Sequence, residues 1–150
     1  MTITFDASHF EPNDLNYLYI ASVSTYGKLY YTSTKRKGSS LSARTKYFGT
    51  YTLASDKEGP KITPSNFKNG SWMSNYRYLK IKISDAISGI KNFRATVNGK
   101  WILMEYDSKT KTLTHDFNDG VITDTKNNLK LIVTDNVGNS SKFESVFYRK

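Results

Sequence analysis

The sequence predicts an all-β chain, a small β-domain over residues 1–58 followed by an immunoglobulin-like antiparallel β-sandwich over residues 59–150. Three observations predict it. The chain carries 11 Tyr and 8 Phe among many Thr, Val and Ile, residue types that suit a pleated, half-buried surface. Apolar and polar residues alternate with a period of two, and no helical stripe of any length occurs. Turn residues punctuate the region after Gly59 roughly every 8–12 positions, the spacing of a sandwich of short strands. At 37% hydrophobic the chain can fill a core, yet it is thin for a parallel α/β enzyme, whose strands are buried on both faces.

Taken in order, residues 2–5 begin in mid-strand style, without lead-in or cap. Residues 6–16 read as a loop in which Pro12 starts one helical turn. Residues 17–24 and 28–34 form a hairpin about Tyr26-Gly27. Residues 35–40, basic and holding Gly38-Ser39-Ser40, read as a turn, and residues 41–45 and 47–54 supply two further strands. The polar stretch 55–60, ending in Gly59-Pro60, is the domain boundary. Five strands in about 58 residues make a small domain near the lower limit of independent stability, with its early strands missing if the chain is a fragment.

The second block is more regular. Residues 61–66 form an edge-like strand because of Pro64. In residues 76–84, Leu79, Ile81 and Ile83 share one face, and Lys80 and Lys82 the other. Residues 91–97 follow, with Phe93, Ala95 and Val97 on one face. Asn98-Gly99 is the strongest hairpin signal in the chain, since both central positions of a type I′ turn need positive φ. Residues 100–106, 112–117, 129–133 and 142–148 complete seven strands.

Charge and composition narrow the function classes. The net charge is +9, with 7 basic and 5 acidic residues before Gly59 and 15 and 8 from it onward. Such a domain is drawn to polyanions, but no recognition helix or RNA-binding aromatic signature accompanies the charge, so no nucleic-acid partner is expected. There are no cysteines, which removes disulfides, thiolate zinc sites and cysteine nucleophiles. No basic stretch followed by an apolar one opens the chain, and no apolar run approaches the ~20 residues of a membrane span.

No catalytic or metal-ligating set emerges. His9 and His115 are far apart and fit no zinc spacing, and His115 reads as a surface residue on a strand. No Gly-x-Ser-x-Gly elbow or phosphate loop is present. Two turns place a carboxylate beside a glycine, Asp85-Ala86-Ile87-Ser88-Gly89 and Asp135-Asn136-Val137-Gly138-Asn139. Calcium needs six to eight oxygens, and each turn offers one Asp, so these carboxylates and amides are expected to cap local backbone N–H groups. Trp72 and Trp101, with Tyr76, Tyr78 and Tyr106, are candidates for a sugar-stacking platform. Trp101 sits in an apolar run and is expected in the core or between sheets, while Trp72 is expected to pack against the neighbouring domain.

Four segments in order carry a resemblance: Lys61-Ile62-Thr63-Pro64-Ser65-Asn66-Phe67, Ser84-Asp85-Ala86-Ile87-Ser88-Gly89-Ile90, Val97-Asn98-Gly99-Lys100-Trp101-Ile102-Leu103-Met104-Glu105-Tyr106-Asp107, and Val133-Thr134-Asp135-Asn136-Val137-Gly138-Asn139. Together they resemble the C-terminal region of lysostaphin-like zinc metallopeptidases of Gram-negative bacteria, secreted or periplasmic enzymes that cleave peptidoglycan cross-links. Thr4-Phe5-Asp6-Ala7-Ser8 and Phe48-Gly49-Thr50-Tyr51-Thr52-Leu53-Ala54 look like the preceding β-domain, so the likeness spans nearly the whole chain. The family's His-x-x-x-Asp and His-x-His ligand motifs are missing, since Asn13 stands four residues after His9 and Asp116-Phe117 follow His115. The resemblance therefore implies a non-catalytic accessory module of an extracytoplasmic cell-wall peptidase. It would carry no metal or cofactor of its own, and its expected partners are peptidoglycan, another anionic envelope polymer, or the peptidase domain itself. Basic faces at Lys80, Lys82, Lys126 and Lys130 would favour such a polymer. The alternative from another class is a carbohydrate-binding or adhesive Ig-like domain unrelated to a peptidase, which exposed rings at Trp72 or Trp101 would favour.

Overall fold

The structure is a computed structural model that describes residues 1–150. Two compact units emerge. The first comprises Met1–Glu58 with the turns Ala86–Gly89 and Asn136–Asn139, and the second Gly59–Asp85, Ile90–Asp135 and Ser140–Lys150.

The first unit contains β1 (Thr2–Asp6), the single turn α1 (Pro12–Leu15), β2 (Leu18–Val23), β3 (Leu29–Thr32), β4 (Thr34–Lys37), β5 (Ser40–Arg44) and β6 (Thr50–Ser55). They pair as two three-stranded sheets, in the orders β1-β5-β4 and β3-β2-β6. Leu18, Ile20, Leu41, Ala43 and Ala7 are buried between them, with Phe5, Phe10, Leu15, Tyr51 and Leu53 packed around. Residues 35–40 are not the simple turn expected from their charge. Lys35 and Lys37 pair with Ser42 and Ser40 in an edge strand, and the turn contracts to Gly38-Ser39. Lysines are at home there, because an edge strand leaves one side open to water and charge discourages further pairing.

The second unit contains β7 (Lys61–Pro64), β8 (Ser71–Trp72), β9 (Tyr78–Ser84), β10 (Ile90–Val97), β11 (Lys100–Ile102), β12 (Glu105–Asp107), β13 (Thr112–Asp116), β14 (Lys126–Asp135) and β15 (Ser140–Tyr148), with a 3₁₀ turn at Phe117–Asp119. One sheet has the order β12-β13-β9-β7 and the other β11-β10-β14-β15-β8. Read from β7, the first is the A-B-E-D sheet of an immunoglobulin sandwich, and β11-β10-β14-β15 is its C′-C-F-G partner. All pairings are antiparallel except that of β8 with β15. Leu79, Ile81, Ile83 and Leu113 from one sheet meet Ala95, Val97, Leu129, Leu131, Val133 and Phe147 from the other in a single core. Fully burying one such side chain is worth about 1.5–3 kcal/mol.

The run 100–106 is not one strand but two. β11 pairs with β10, whereas β12 pairs with β13 in the opposite sheet, and Leu103-Met104 makes the crossing. Ile102 and Met104 are both buried at the crossing, so core packing against two sheets overrides the continuous strand pattern. The Asn98-Gly99 turn has φ of 53° and 79°, the left-handed pair a type I′ hairpin needs. The Asn98 carboxamide reinforces it, accepting from Asn128 N at 2.8 Å and donating to Asn127 Oδ1 at 3.1 Å.

Candidate binding face of the second unit

Strand alternation sorts the five-stranded sheet into two faces. Leu129, Leu131 and Val133 of β14 point inward, so Asn128, Lys130 and Ile132 point out. The register then places Thr96 opposite Lys130, Arg94 opposite Ile132, and Glu144 and Val146 of β15 opposite Lys130 and Asn128. These outward residues line a groove of about 690 Å³ along the sheet. The turn before β8 borders it, held down where Asn69 Oδ1 accepts from Val146 N at 2.8 Å and Gly70 N donates to Val146 O at 2.6 Å.

Two tryptophans stand on this face. Trp101 pairs with Thr96 on the edge strand β11 and is 59% exposed. The core position expected for it is taken by its neighbour Ile102, whose side chain alternation turns inward. Trp72 lies on the opposite edge strand β8, opposite Tyr148, and is 54% exposed. One face of its indole stacks on Tyr148 with centroids 5.0 Å apart and planes at 29°. Lys150 Nζ lies 5.7 Å from the indole centroid. Tyr76 and Tyr78 are also exposed, and Tyr106 packs against the core beside Phe93.

The remaining candidates lie away from this face. His115 is wholly buried, not superficial as its strand position suggested, because inward positions of β13 alternate through Leu113 and His115. Its Nδ1 lies 2.7 Å from Leu103 O, and its Nε2 lies 3.7 Å from the Asp119 carboxylate. His9 is exposed beside Phe10. In the first unit, Asn136 Nδ2 donates to Ser88 O at 2.8 Å and Asn139 Nδ2 to Asp56 O at 2.9 Å, so these two bonds reach carbonyls of segments distant in sequence, not the local backbone N–H groups expected. Asp56 is fully buried in a stretch that composition marked only as a polar boundary, and it accepts from Glu58 N and Ser88 N, both at 3.0 Å. In the second unit Asp135 is buried and Asp85 half-buried, with carboxylate oxygens within 4.8 Å of each other. The first unit also holds a cleft of about 500 Å³ bordered by Arg44, Lys46, Tyr47 and Phe48, whose rings project from a loop.

Compared with protein families and with curated proteins, the sequence matches none. Among solved structures it is similar to the fibronectin(III)-like modules of Clostridium thermocellum CbhA. The identity is 12% and the TM-score 0.44, over 99% of this chain and 85% of that one.

Charge separates the two outer faces of the sandwich. On the five-stranded sheet the outward strand positions hold Arg94, Lys126, Lys130 and Lys142 against Glu144 alone. On the four-stranded sheet Lys61, Lys80 and Lys82 are matched by Glu105, Asp107 and Asp116. The four lysines singled out in the sequence thus divide, Lys126 and Lys130 on the grooved face and Lys80 and Lys82 on the balanced one. No helix is long and apolar enough to cross a membrane.

Proposed function

We propose that the chain is a non-catalytic binding module whose second unit holds a polysaccharide strand in the groove on the outer face of its five-stranded sheet. The observation that carries this is the exposure of Trp101 and Trp72 on opposite edge strands of that one sheet. A large ring left in water forgoes burial energy that a core position would supply. Two of them on the edge strands of the sheet that carries the groove mark a surface that is completed by something else. Flat rings suit the C–H faces of sugar rings. Both are mounted on paired strands, so little conformational freedom is lost when a ligand arrives. That distinguishes them from Tyr47 and Phe48, which ride on a loop of the first unit.

In the wider setting the resemblance supplies, the module is extracytoplasmic and docks a cell-wall metallopeptidase to its substrate. A His-x-x-x-Asp and a His-x-His motif encoded upstream of Thr2 would support that setting. The binding itself is tested by sedimentation with isolated peptidoglycan sacculi, cellulose and chitin at low salt. Retention on at least one of these, reduced tenfold or more by combined Trp72→Ala and Trp101→Ala, is the expected result. Absence of retention on all three overturns the proposal.

A further inference from the structure

Resting on the polysaccharide-binding reading, we propose that the ligand of this groove is an anionic polysaccharide bearing carboxylates, with Arg94 and Lys130 pairing with those groups while Trp101 stacks on a sugar ring. Arg94 and Lys130 are diagonal neighbours on adjacent strands, since Arg94 faces Ile132 and Thr96 faces Lys130. Such neighbours stand roughly 7–8 Å apart. Both line the groove. Neither takes part in a salt bridge, while Glu144, the one outward carboxylate of the sheet, is held by Lys142 at 3.6 Å. Two cations therefore stand in the groove against one carboxylate, Glu144, which faces Lys130 across the strands and is shared with Lys142, so the groove keeps an excess of positive charge.

A neutral glycan would leave that charge unused. A compact polyanion without rings would leave Trp101 unused, although it shares a cross-strand row with Thr96 and Lys130. A sugar chain with carboxylates uses both. The fork of the Arg94 guanidinium matches a carboxylate through two parallel N–H bonds, and Lys130 offers a point charge one strand away. Because the groove is open, the ionic part of the binding should weaken with salt while the stacking part persists.

The test compares polymers on one backbone, carboxymethylcellulose and hydroxyethylcellulose, by affinity electrophoresis of the full chain at low and high salt. Polygalacturonate serves as a second carboxylated polymer. At least one carboxylated polymer is expected to bind tenfold or more tightly than hydroxyethylcellulose at low salt. Combined Arg94→Gln and Lys130→Gln should abolish that advantage and leave the neutral polymer unaffected. Trp101→Ala should weaken both classes, and Lys80→Gln with Lys82→Gln neither, with unchanged thermal midpoints as the check on folding. Equal, Trp101-dependent binding of charged and neutral polymers would overturn the charge inference and leave the polysaccharide reading intact. No binding to any polymer would count against both. Binding of a single-stranded oligonucleotide as tightly as the carboxylated polymers, with no effect of Trp101→Ala, would reduce the face to a generic polyanion surface and overturn the inference.

Discussion

The imidazole of His115 holds the carbonyl of Leu103 at 2.7 Å from Nδ1, and because a carbonyl can only accept, that nitrogen carries the proton. The bond fastens β13 to the segment where the chain passes from one sheet to the other. Replacing His115 by Ala removes a fully buried ring and leaves the Leu103 carbonyl without this partner, which should cost about 2–4 kcal/mol. His115→Phe keeps most of the volume and loses only the hydrogen bond, for about 1–2 kcal/mol. Urea unfolding should show both as lowered midpoints at constant slope. An unchanged midpoint for His115→Phe would mean that the bond contributes nothing.

Arg77 and Asp116 supply a pH dependence. The guanidinium donates to both carboxylate oxygens, at 3.1 and 3.4 Å. Those bonds, followed by one from Asn118 N, hold the Asp116 carboxyl below its ordinary range. A carboxyl lowered on folding adds stability above the unfolded value near 4, and that stability disappears as pH falls through the lowered native value. The thermal midpoint of Asp116→Asn should therefore lie below that of the parent at pH 7 and converge with it in acid. Because both side chains are largely open to water, the gap should be small and should shrink in salt.

Lys111 adopts φ of 56° at the turn between β12 and β13. A residue with a Cβ pays roughly 1 kcal/mol or more to stand there, and glycine does not. Lys111→Gly should leave the thermal midpoint unchanged or raise it, since relief of strain offsets the freedom glycine adds to the unfolded chain. Lys111→Val should lower it clearly, as a β-branched residue fits that region worst.

Trp101 and Leu131 illustrate opposite uses of a large apolar side chain on one sheet. Trp101→Ala should change unfolding free energy by no more than about 0.5 kcal/mol, as is usual for exposed positions. Leu131→Ala, in the core, should cost about 2–5 kcal/mol. Chemical denaturation of the two variants side by side checks this, and a large loss for Trp101→Ala would mean that the indole serves the fold.

Most of the sandwich was legible in the sequence because one period decides it. Leu79, Ile81 and Ile83 alternate with Lys80 and Lys82, and the structure buries the first set and exposes the second. Asn98-Gly99 announced its hairpin through the backbone conformation that only a few residues accept. The binding face was harder to see. Its groove comes from side chains on three strands, and the register that puts Arg94 beside Lys130 is fixed by hydrogen bonding between segments distant in sequence. Trp101 was misplaced because a run of apolar residues hides which one faces out, and alternation about Ile102 settles that only once the crossing at Leu103-Met104 is known. His115 shows the same limit. Its polarity pointed to the surface, and a single acceptor on a neighbouring segment made burial affordable.

The crossing at Leu103-Met104 also bears on force. β11 follows Gly99 of the groove lining, and the same stretch of chain continues two residues later as β12 of the opposite sheet. A polymer held at Trp101, as proposed above, would load a covalent strap that spans both layers. β11 and β12 are the edge strands of their two sheets, so peeling one of them passes load to the other. A domain tethered to a rigid, moving surface would resist shear between its layers on this account, and stretching it through a polymer bound at the groove should engage both sheets together.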